Sequence, residues 1–336
     1  MIKGKKFLIT GGTGSLGKSL TKKLLASGAD TVRILSRNES KQIEMENEIN
    51  DDRLRFFIGD IRDEARLQTA FEDVDIIYHA AALKHVPKIE YNPFEAIKTN
   101  VMGSQNVINA SLNQDVEKVI CVGTDKAVSP QNTYGATKLI MEKLFVSANN
   151  YINIEKHRTK FTALRYGNVL GSSGSVIPKF IEQIKKNQPI YITDERMTRF
   201  TITMEEALEF ILNVTEISKG SEIFVPKLNS YDMDLLTSTL NEIIGLKEKQ
   251  IIGIRPGEKL HESLINSDEL SYTYELEGYY VILSPHVTKF HSDKIQNIYP
   301  GITKITDMNA YSSDTVSCIS KEDLKRKILN LNLINP

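Results

Sequence analysis

The stretch Thr10-Gly11-Gly12-Thr13-Gly14-Ser15-Leu16-Gly17 sets glycines 11, 14 and 17 in G-x-x-G-x-x-G spacing. Residues 7–10 ahead of it form a short apolar run suited to a buried strand. Residues 16–26 behind it carry Leu16, Leu20, Leu24 and Leu25 on one side of an amphipathic helix. In that setting each glycine has a use. Gly11 permits a tight turn, Gly14 lets the backbone approach a pyrophosphate, and Gly17 lets the helix pack closely. Thr13, Ser15 and Leu16 complete the turn, whose free N–H groups and positive helix end hold phosphates. The competing reading, a glycine turn without a ligand, is disfavoured by the strand and helix on either side.

The same alternation continues downstream. Residues 31–36, 54–58, 74–78, 116–122 and 161–165 read as strands, with helical patterns between them, notably at 93–113 and 134–149. This predicts an α/β protein with a doubly wound parallel sheet of Rossmann type, helices on both faces and ligands at the strand C-terminal ends. After Gly171 the segments shorten: 175–186, 204–217, 230–244 and 321–329 read as helices, 190–193 and 251–254 as strands. The expected organisation is a dinucleotide-binding domain over 1–170, with its last strands interleaved with later residues. A smaller mixed α/β substrate lobe covers mainly 171–285, and a C-terminal extension 286–336, irregular to about Asn309.

Composition narrows the class. The 336 residues carry 42 Lys plus Arg and 43 Asp plus Glu, a net charge of −1 that argues against nucleic acid or an anionic membrane surface as partner. An apolar share of 40% and a charged share of 25% suit a globular enzyme. The two cysteines, Cys121 and Cys318, make neither a disulfide framework nor a zinc site, and no metal centre is expected. The start has only Phe7, Leu8 and Ile9 as an apolar run, short of the ~7–15 residues of a signal peptide. No run reaches the ~18 apolar residues of a membrane helix, so a cytoplasmic location is expected.

The second strand ends at Leu35-Ser36-Arg37, with Lys41 nearby, where NAD-preferring folds carry an acidic residue for the adenosine ribose. Arg37 can instead pair with a 2′-phosphate, which favours NADP; the alternative is a solvated surface charge. Asp60, after the third strand, is a candidate acceptor for the adenine amino group or else a helix N-cap. Tyr134 and Lys138 form Tyr-x-x-x-Lys at a helix start. At i, i+4 they share a face, and an ammonium there would lower the phenol's pKa, making Tyr134 a base for an alcohol under oxidation.

The motifs TGGTGSLG (10–17), RFFIGDIRD (55–63), HAAALKHVP (79–87), YNPFEAIKTNVMGSQNVINA (91–110), YGATKLIMEKLFVSANN (134–150), RYGNVLGSSGSVIP (165–178), MTRF (197–200) and IIGIRPGEKLHE (251–262) stand in the order of the extended short-chain dehydrogenase/reductase superfamily. Thr124-Asp125-Lys126-Ala127 sharpens the likeness: the chain resembles the inverting UDP-N-acetylglucosamine 4,6-dehydratases of pseudaminic acid synthesis, up to about residue 285.

The resemblance implies NADP as a recycled cofactor, with Ile61, Ala80, Ala81 and Ala82 added to its contacts. It implies that Tyr134 takes the sugar 4-hydroxyl proton and Thr124 bonds that hydroxyl, while deprotonated Lys126 removes H5 and protonated Asp125 donates to the departing 6-hydroxyl. Burial is expected to push the Asp125 and Lys126 pKa values toward neutrality from both sides. A retaining relative is expected to carry Asp-Glu there, and a surface ion pair is the bland alternative. For the nucleotide sugar the implied contacts are Lys84, His85, Asn168, Val176, Thr193, Met197, Arg199, Arg255 and Glu258, with the two arginines on the diphosphate and Glu258 on the uridine ribose. Ser173 stands where an Arg is expected in relatives. A homo-oligomer, with a hexamer as the largest form considered, is implied. Two other functions stay open: a nucleotide-sugar 4-epimerase, which needs no Asp-Lys pair, and a non-enzymatic NADP-sensing protein, which needs none of the four reactive side chains.

Overall fold

The computed structural model describes residues 2–153, 156–172, 174–245, 248–284 and 295–334. The first half runs β1 (Lys6–Thr10), α1 (Ser15–Ala26), β2 (Thr31–Ser36), α2 (Glu39–Ile49), β3 (Leu54–Ile58), α3 (Glu64–Phe71), β4 (Ile76–His79), α4 (Val86–Tyr91) and α5 (Pro93–Ala96). After a π-helical turn at Ile97–Met102 come α6 (Gly103–Asn113), β5 (Lys118–Val122), a 3₁₀ turn at Asp125–Ala127, α7 (Thr133–Tyr151) and β6 (Lys160–Leu164). The second half runs α8 (Val176–Lys185), β7 (Ile190–Ile192), β8 (Thr198–Phe200), α9 (Met204–Ile217), β9 (Glu222–Pro226), β10 (Ser230–Asp232), α10 (Met233–Ile244), β11 (Lys249–Ile251) and β12 (Ser263–Ile265). It ends with α11 (Ser267–Leu270), β13 (Thr273–Leu276), β14 (Tyr279–Leu283), α12 (Ile295–Ile298), β15 (Thr303–Lys304), β16 (Tyr311–Ser312) and α13 (Lys321–Leu329).

The main sheet has the order β3-β2-β1-β4-β5-β6-β9-β14-β13-β15. Strands β3 through β9 are parallel. β14, β13 and β15 extend it antiparallel. β1 lies between β2 and β4, so the strand order reverses beside it and opens the crevice where such sheets bind ligands. Period-two alternation fills both faces. Phe7 and Ile9 join Leu20, Leu24, Ile211 and Val214 on one side, whereas Leu8 joins Leu67, Phe71, Val107 and Phe145 on the other. The doubly wound α/β sheet expected from the sequence is therefore present. Among the described residues no helix is long and apolar enough to cross a membrane.

Three segments differ from the sequence reading. Residues 93–113 are helical throughout, as expected, but a π turn at 97–102 inserts an extra residue and turns Asn100 inward, where its side chain donates to Leu83 O and Thr137 Oγ1 and accepts from Leu83 N. Residues 230–232 are strand, paired antiparallel with β8, and helix begins only where the Asp232 side chain accepts from Leu235 N. The 251–254 strand is instead β11, ending at Ile251 and paired with β7.

The C-terminal region is built into the molecule. β16 pairs with β12, and β15 with β13. Leu324 and Ile328 of α13 lie in the core of the lobe with Phe180, Leu236 and Leu240. The irregular stretch expected from 286 falls outside the described residues as far as 294.

A buried ion cluster ties β6 and α7 to α11. Arg165, after β6, donates through Nε and Nη2 to Glu142 on α7, through Nη1 and Nη2 to Glu269 on α11, and through Nη1 to Leu264 O. All three charged side chains are buried.

Candidate functional site

The glycine turn is shaped by what has no room for a side chain. Gly11 has φ +68°, and a Cβ there would sit 2.9 Å from the Ala81 backbone. At Gly17 a Cβ would sit 2.3 Å from Gly12 O, so helix α1 packs against the turn itself. A Cβ on Gly14 would meet only Gly11 O, at 3.3 Å. The first turn of α1 has no side-chain cap and no acidic residue, which leaves its N–H groups and positive end to an anion. Across the crevice, Ala80 N donates to Thr10 O and Ala81 N to Thr10 Oγ1, which also bonds His79 Nδ1 at 2.8 Å. Burial, helped by Lys138, pushes the His79 imidazole down to about 3, so this wall is neutral. The turn and the alanine wall fit the pyrophosphate of a dinucleotide.

At the end of β2, Ser36 is buried and its Oγ accepts from Gln42 Nε2 at 3.0 Å. Arg37 is exposed, with Nη1 3.7 Å from Asp60 Oδ2. Lys41 is exposed, and its N–H donates to Asn38, the cap of α2. Asp60 caps no helix; Asp63 is the cap of α3. Burial tends to raise the Asp60 pKa, but hydrogen bonds and charge from Arg62 outweigh it and hold the carboxyl below its usual range. Ile61 is buried beside it.

Thr124, Asp125, Lys126 and Tyr134 meet just beyond β5. Thr124 Oγ1 donates to Asp125 Oδ1 at 2.7 Å, and Lys126 Nζ donates to the same oxygen at 3.0 Å. Asp125 is 1% exposed, so the surface-ion-pair alternative is excluded. Lys126 Nζ also reaches Asn168 Oδ1 at 3.3 Å and Glu262 Oε1 at 3.4 Å. Burial lowers the Lys126 pKa, but Asp125 and Glu262 together overcome it and hold the amine above its ordinary value. The expected drift of Lys126 toward neutrality is thus corrected: two carboxylates against one amine reverse the sign that burial alone would give.

Tyr134 is buried in a small cluster with Ile89 and Ala96. Burial pushes its phenol up to about 12, against the lowering effects of Lys126 and Thr124. Lys138 is not the cation that acts on it. The Lys138 amine donates to Val122 O at 2.8 Å and to Met141 Sδ at 3.4 Å, and burial lowers its pKa. The i, i+4 spacing puts both residues on one face, but the nearest free carbonyl takes the amine.

The later residues divide into presented and spent groups. Lys84, His85 and Arg255 are exposed, and Val176 is half-buried. Glu258 keeps a buried Oε2 with no partner among the described residues, as suits an acceptor for ligand hydroxyls. Arg199, by contrast, is buried, and its guanidinium donates to the carbonyls of Thr198, Lys259 and Leu260. In this structure it knits the loop at 258–262 to β8 and is not offered to a diphosphate beside Arg255. Met197 is core, and its sulfur accepts from Thr193 Oγ1 at 3.0 Å. Ser173 lies outside the described residues.

The sequence reading missed Lys259 and Glu262, although both lie in the quoted 251–262 stretch. Lys259 donates to Val128 O, and Glu262 is buried. Their signal was charge in a segment rich in Gly, Pro and Ile. With Lys126 and Arg199 they bring opposite charges together beside Asp125.

Comparison with known proteins agrees with this geometry. Residues 7–284 match the family described as polysaccharide biosynthesis protein. A UDP-N-acetylglucosamine 4,6-dehydratase (inverting) of Campylobacter jejuni is 48% identical over 94% of this chain and 94% of its own. A UDP-glucose 4-epimerase of Rickettsia felis is 38% identical over 99% of this chain and 98% of its own. The X-ray structure of Pen from Bacillus thuringiensis covers 100% of both chains at 39% identity with a TM-score of 0.89. The chain belongs to the polysaccharide biosynthesis protein family, on the fold of the extended short-chain dehydrogenases/reductases.

Proposed function

We propose that the protein is an inverting UDP-N-acetylglucosamine 4,6-dehydratase, forming UDP-2-acetamido-2,6-dideoxy-β-L-arabino-hex-4-ulose. The observation that carries the reading is the ion pair of buried Asp125 with half-buried Lys126 beside Tyr134. A dinucleotide in the crevice supplies hydride acceptance at C4 and hydride return to C6. Tyr134 takes the 4-hydroxyl proton while Thr124 holds that oxygen. The resulting ketone acidifies H5. Lys126 removes H5, Asp125 gives a proton to the 6-oxygen, and water leaves across C5–C6; once hydride has returned to C6, a solvent-derived proton reaches C5 on the opposite face, which inverts that centre. The charged pair and the neutral acid–amine pair hold the same number of protons. One transfer across the 3.0 Å contact interconverts them, so no proton need leave the site.

The epimerase reading is favoured by the 38% identity to the Rickettsia protein, but a 4-epimerase has no step for Asp125 and Lys126. Incubation with UDP-N-acetylglucosamine in heavy water, followed by NMR, separates the two. The dehydratase yields a 4-keto-6-deoxy sugar with deuterium at an inverted C5, and a C4 epimer with an intact 6-hydroxyl overturns it.

The cofactor in this reading is NADP, supported by exposed Arg37 and by the lack of an acidic residue at the end of β2. Arg37→Ala is expected to weaken binding of the 2′-phosphorylated dinucleotide by about tenfold to a hundredfold, the worth of a charged hydrogen bond. Titration of both dinucleotides checks it: an equal loss for the form without the phosphate removes Arg37 from that role. A homo-oligomer belongs to the same reading, supported by exposed Tyr91, Phe94 and Met102 on neighbouring helical turns. Light scattering at working concentration should return more than the 37.9 kDa of one chain.

A further inference from the structure

The Lys126 amine is surrounded by three acceptors: Asp125 Oδ1 at 3.0 Å, Asn168 Oδ1 at 3.3 Å and Glu262 Oε1 at 3.4 Å. The first two are hydrogen bonds and the third is an ion-pair contact. Asp125 is the partner with which a proton is exchanged. Asn168 is exposed, so buried Glu262 is the point that sets where the amine stands when that direction is vacated.

Glu262 is held more firmly than such a contact alone requires. Its N–H donates to Ser313 Oγ at 2.9 Å, and its carbonyl accepts from Ser313 N at 2.8 Å and Ser312 Oγ at 3.2 Å. Ser313 Oγ is also 2.6 Å from Thr198 Oγ1, which bonds His261 Nδ1 at 2.8 Å. The chain beyond residue 310 thus clamps the Glu262 backbone beside the site. Arg199 Nε lies 4.0 Å from Glu262 Oε1, and Glu262 Oε2 is buried with no partner among the described residues. A buried, half-satisfied carboxylate is costly, and hydrogen bonds within the loop do not account for it.

We propose that Glu262 is a positioning residue for Lys126: clamped by the C-terminal segment, it holds the amine in register with Asp125 and stabilises the ammonium that forms once H5 is taken. The inference rests on the dehydratase reading. It concerns a residue that acts through Lys126 and does not touch the sugar.

The groups that face the Lys126 amine are Asp125 on its own turn, Tyr134 on α7, Arg199 on β8, Tyr231 on β10, and Lys259 and Glu262 on the loop before β12. Removing the Glu262 charge takes one anion from the ammonium and lowers its pKa. The shared proton is then lost at lower pH, so the alkaline limb of the rate moves toward acid.

The test uses the full chain with its dinucleotide and UDP-N-acetylglucosamine. Glu262→Gln is expected to lower kcat by about 10²-fold with KM changed by less than about threefold, as for a misplaced reacting group. Its alkaline limb should move to lower pH by about one unit or more. Glu262→Asp keeps the charge on a shorter stem, so the limb should stay while kcat falls several-fold. Wild-type kcat in either variant overturns the proposal, and so does a Gln variant with reduced kcat but an unmoved limb. If the Gln variant does not fold, the Asp variant alone is read on kcat. A wild-type chain that makes no 4-keto-6-deoxy sugar takes down the dehydratase reading, whereas wild-type turnover beside an unaffected Gln variant takes down Glu262 alone.

Discussion

Lys126→Ala is expected to lower formation of the 4-keto-6-deoxy sugar by about 10³-fold and to keep solvent deuterium out of C5 at that rate, the range for loss of a general base. The size follows from what the amine does in the structure. It meets Asp125 at 3.0 Å and Glu262 at 3.4 Å, so alanine removes the base and leaves two buried carboxylates without their shared cation. It also removes the positive charge that opposes burial at the Tyr134 phenol, which stands at about 12 even with Lys126 in place. Proton removal from the 4-hydroxyl therefore slows as well, by the same factor at every pH well below both phenol pKa values. Lys126→Arg separates these losses. A guanidinium keeps the positive charge but does not give up its proton near neutrality, so it should preserve the pull on Tyr134 and still fail at C5. Deuterium entering C5 at the wild-type rate in the alanine variant would remove Lys126 from the mechanism.

The second large effect is on stability. Arg165→Met should cost about 3–5 kcal/mol, the usual penalty for removing one partner of a buried ion cluster. Arg165 is wholly buried, and it satisfies both oxygens of Glu142 and both of Glu269. Without it, two carboxylates face each other in the core. Burial tends to raise the Glu269 pKa, but Arg165 outweighs it and holds the carboxyl below its ordinary 4.5. In the wild type that contribution is present above the unfolded value and is lost as pH falls through the lowered one. In the variant the folded pKa rises instead, so Glu269 disfavours the fold at neutral pH and ceases to do so once protonated. Urea midpoints for the two chains should differ most near pH 7 and converge as pH drops below the ordinary glutamate value. A loss below about 1 kcal/mol at pH 7 would show that the cluster contributes little. Because the cluster joins α7 to β6 and α11, the variant should also loosen the elements that carry Tyr134 and Asn168.

How much was legible depended on distance along the chain. The glycine turn was readable because its whole logic fits in eight residues: a strand end, a positive φ at Gly11 and a helix start. Asp125 and Lys126 are neighbours in sequence, and Tyr134 opens the next helix, so the reacting set was visible before the fold. Lys138 shows the limit of the same logic. Spacing fixed its face but not its acceptor, and Val122 O took the amine that Tyr134 was expected to have. Arg199 shows another limit. Its type suggested a diphosphate ligand, whereas burial spent its donors on the carbonyls of the loop. The short strands β8, β10, β12, β15 and β16 escaped notice because two or three residues carry too little alternation to read, and the longer β9, β13 and β14 were missed as well.

By itself the sequence determined the class of sheet, the glycine turn and the candidate reacting groups, because each is written in contacts between near neighbours in the chain. Only the tertiary structure decided the company those groups keep. Glu262, the clamp from Ser313 and the Arg165 cluster come from segments far apart in sequence, and burial combined with charge has no sign until those segments are packed together.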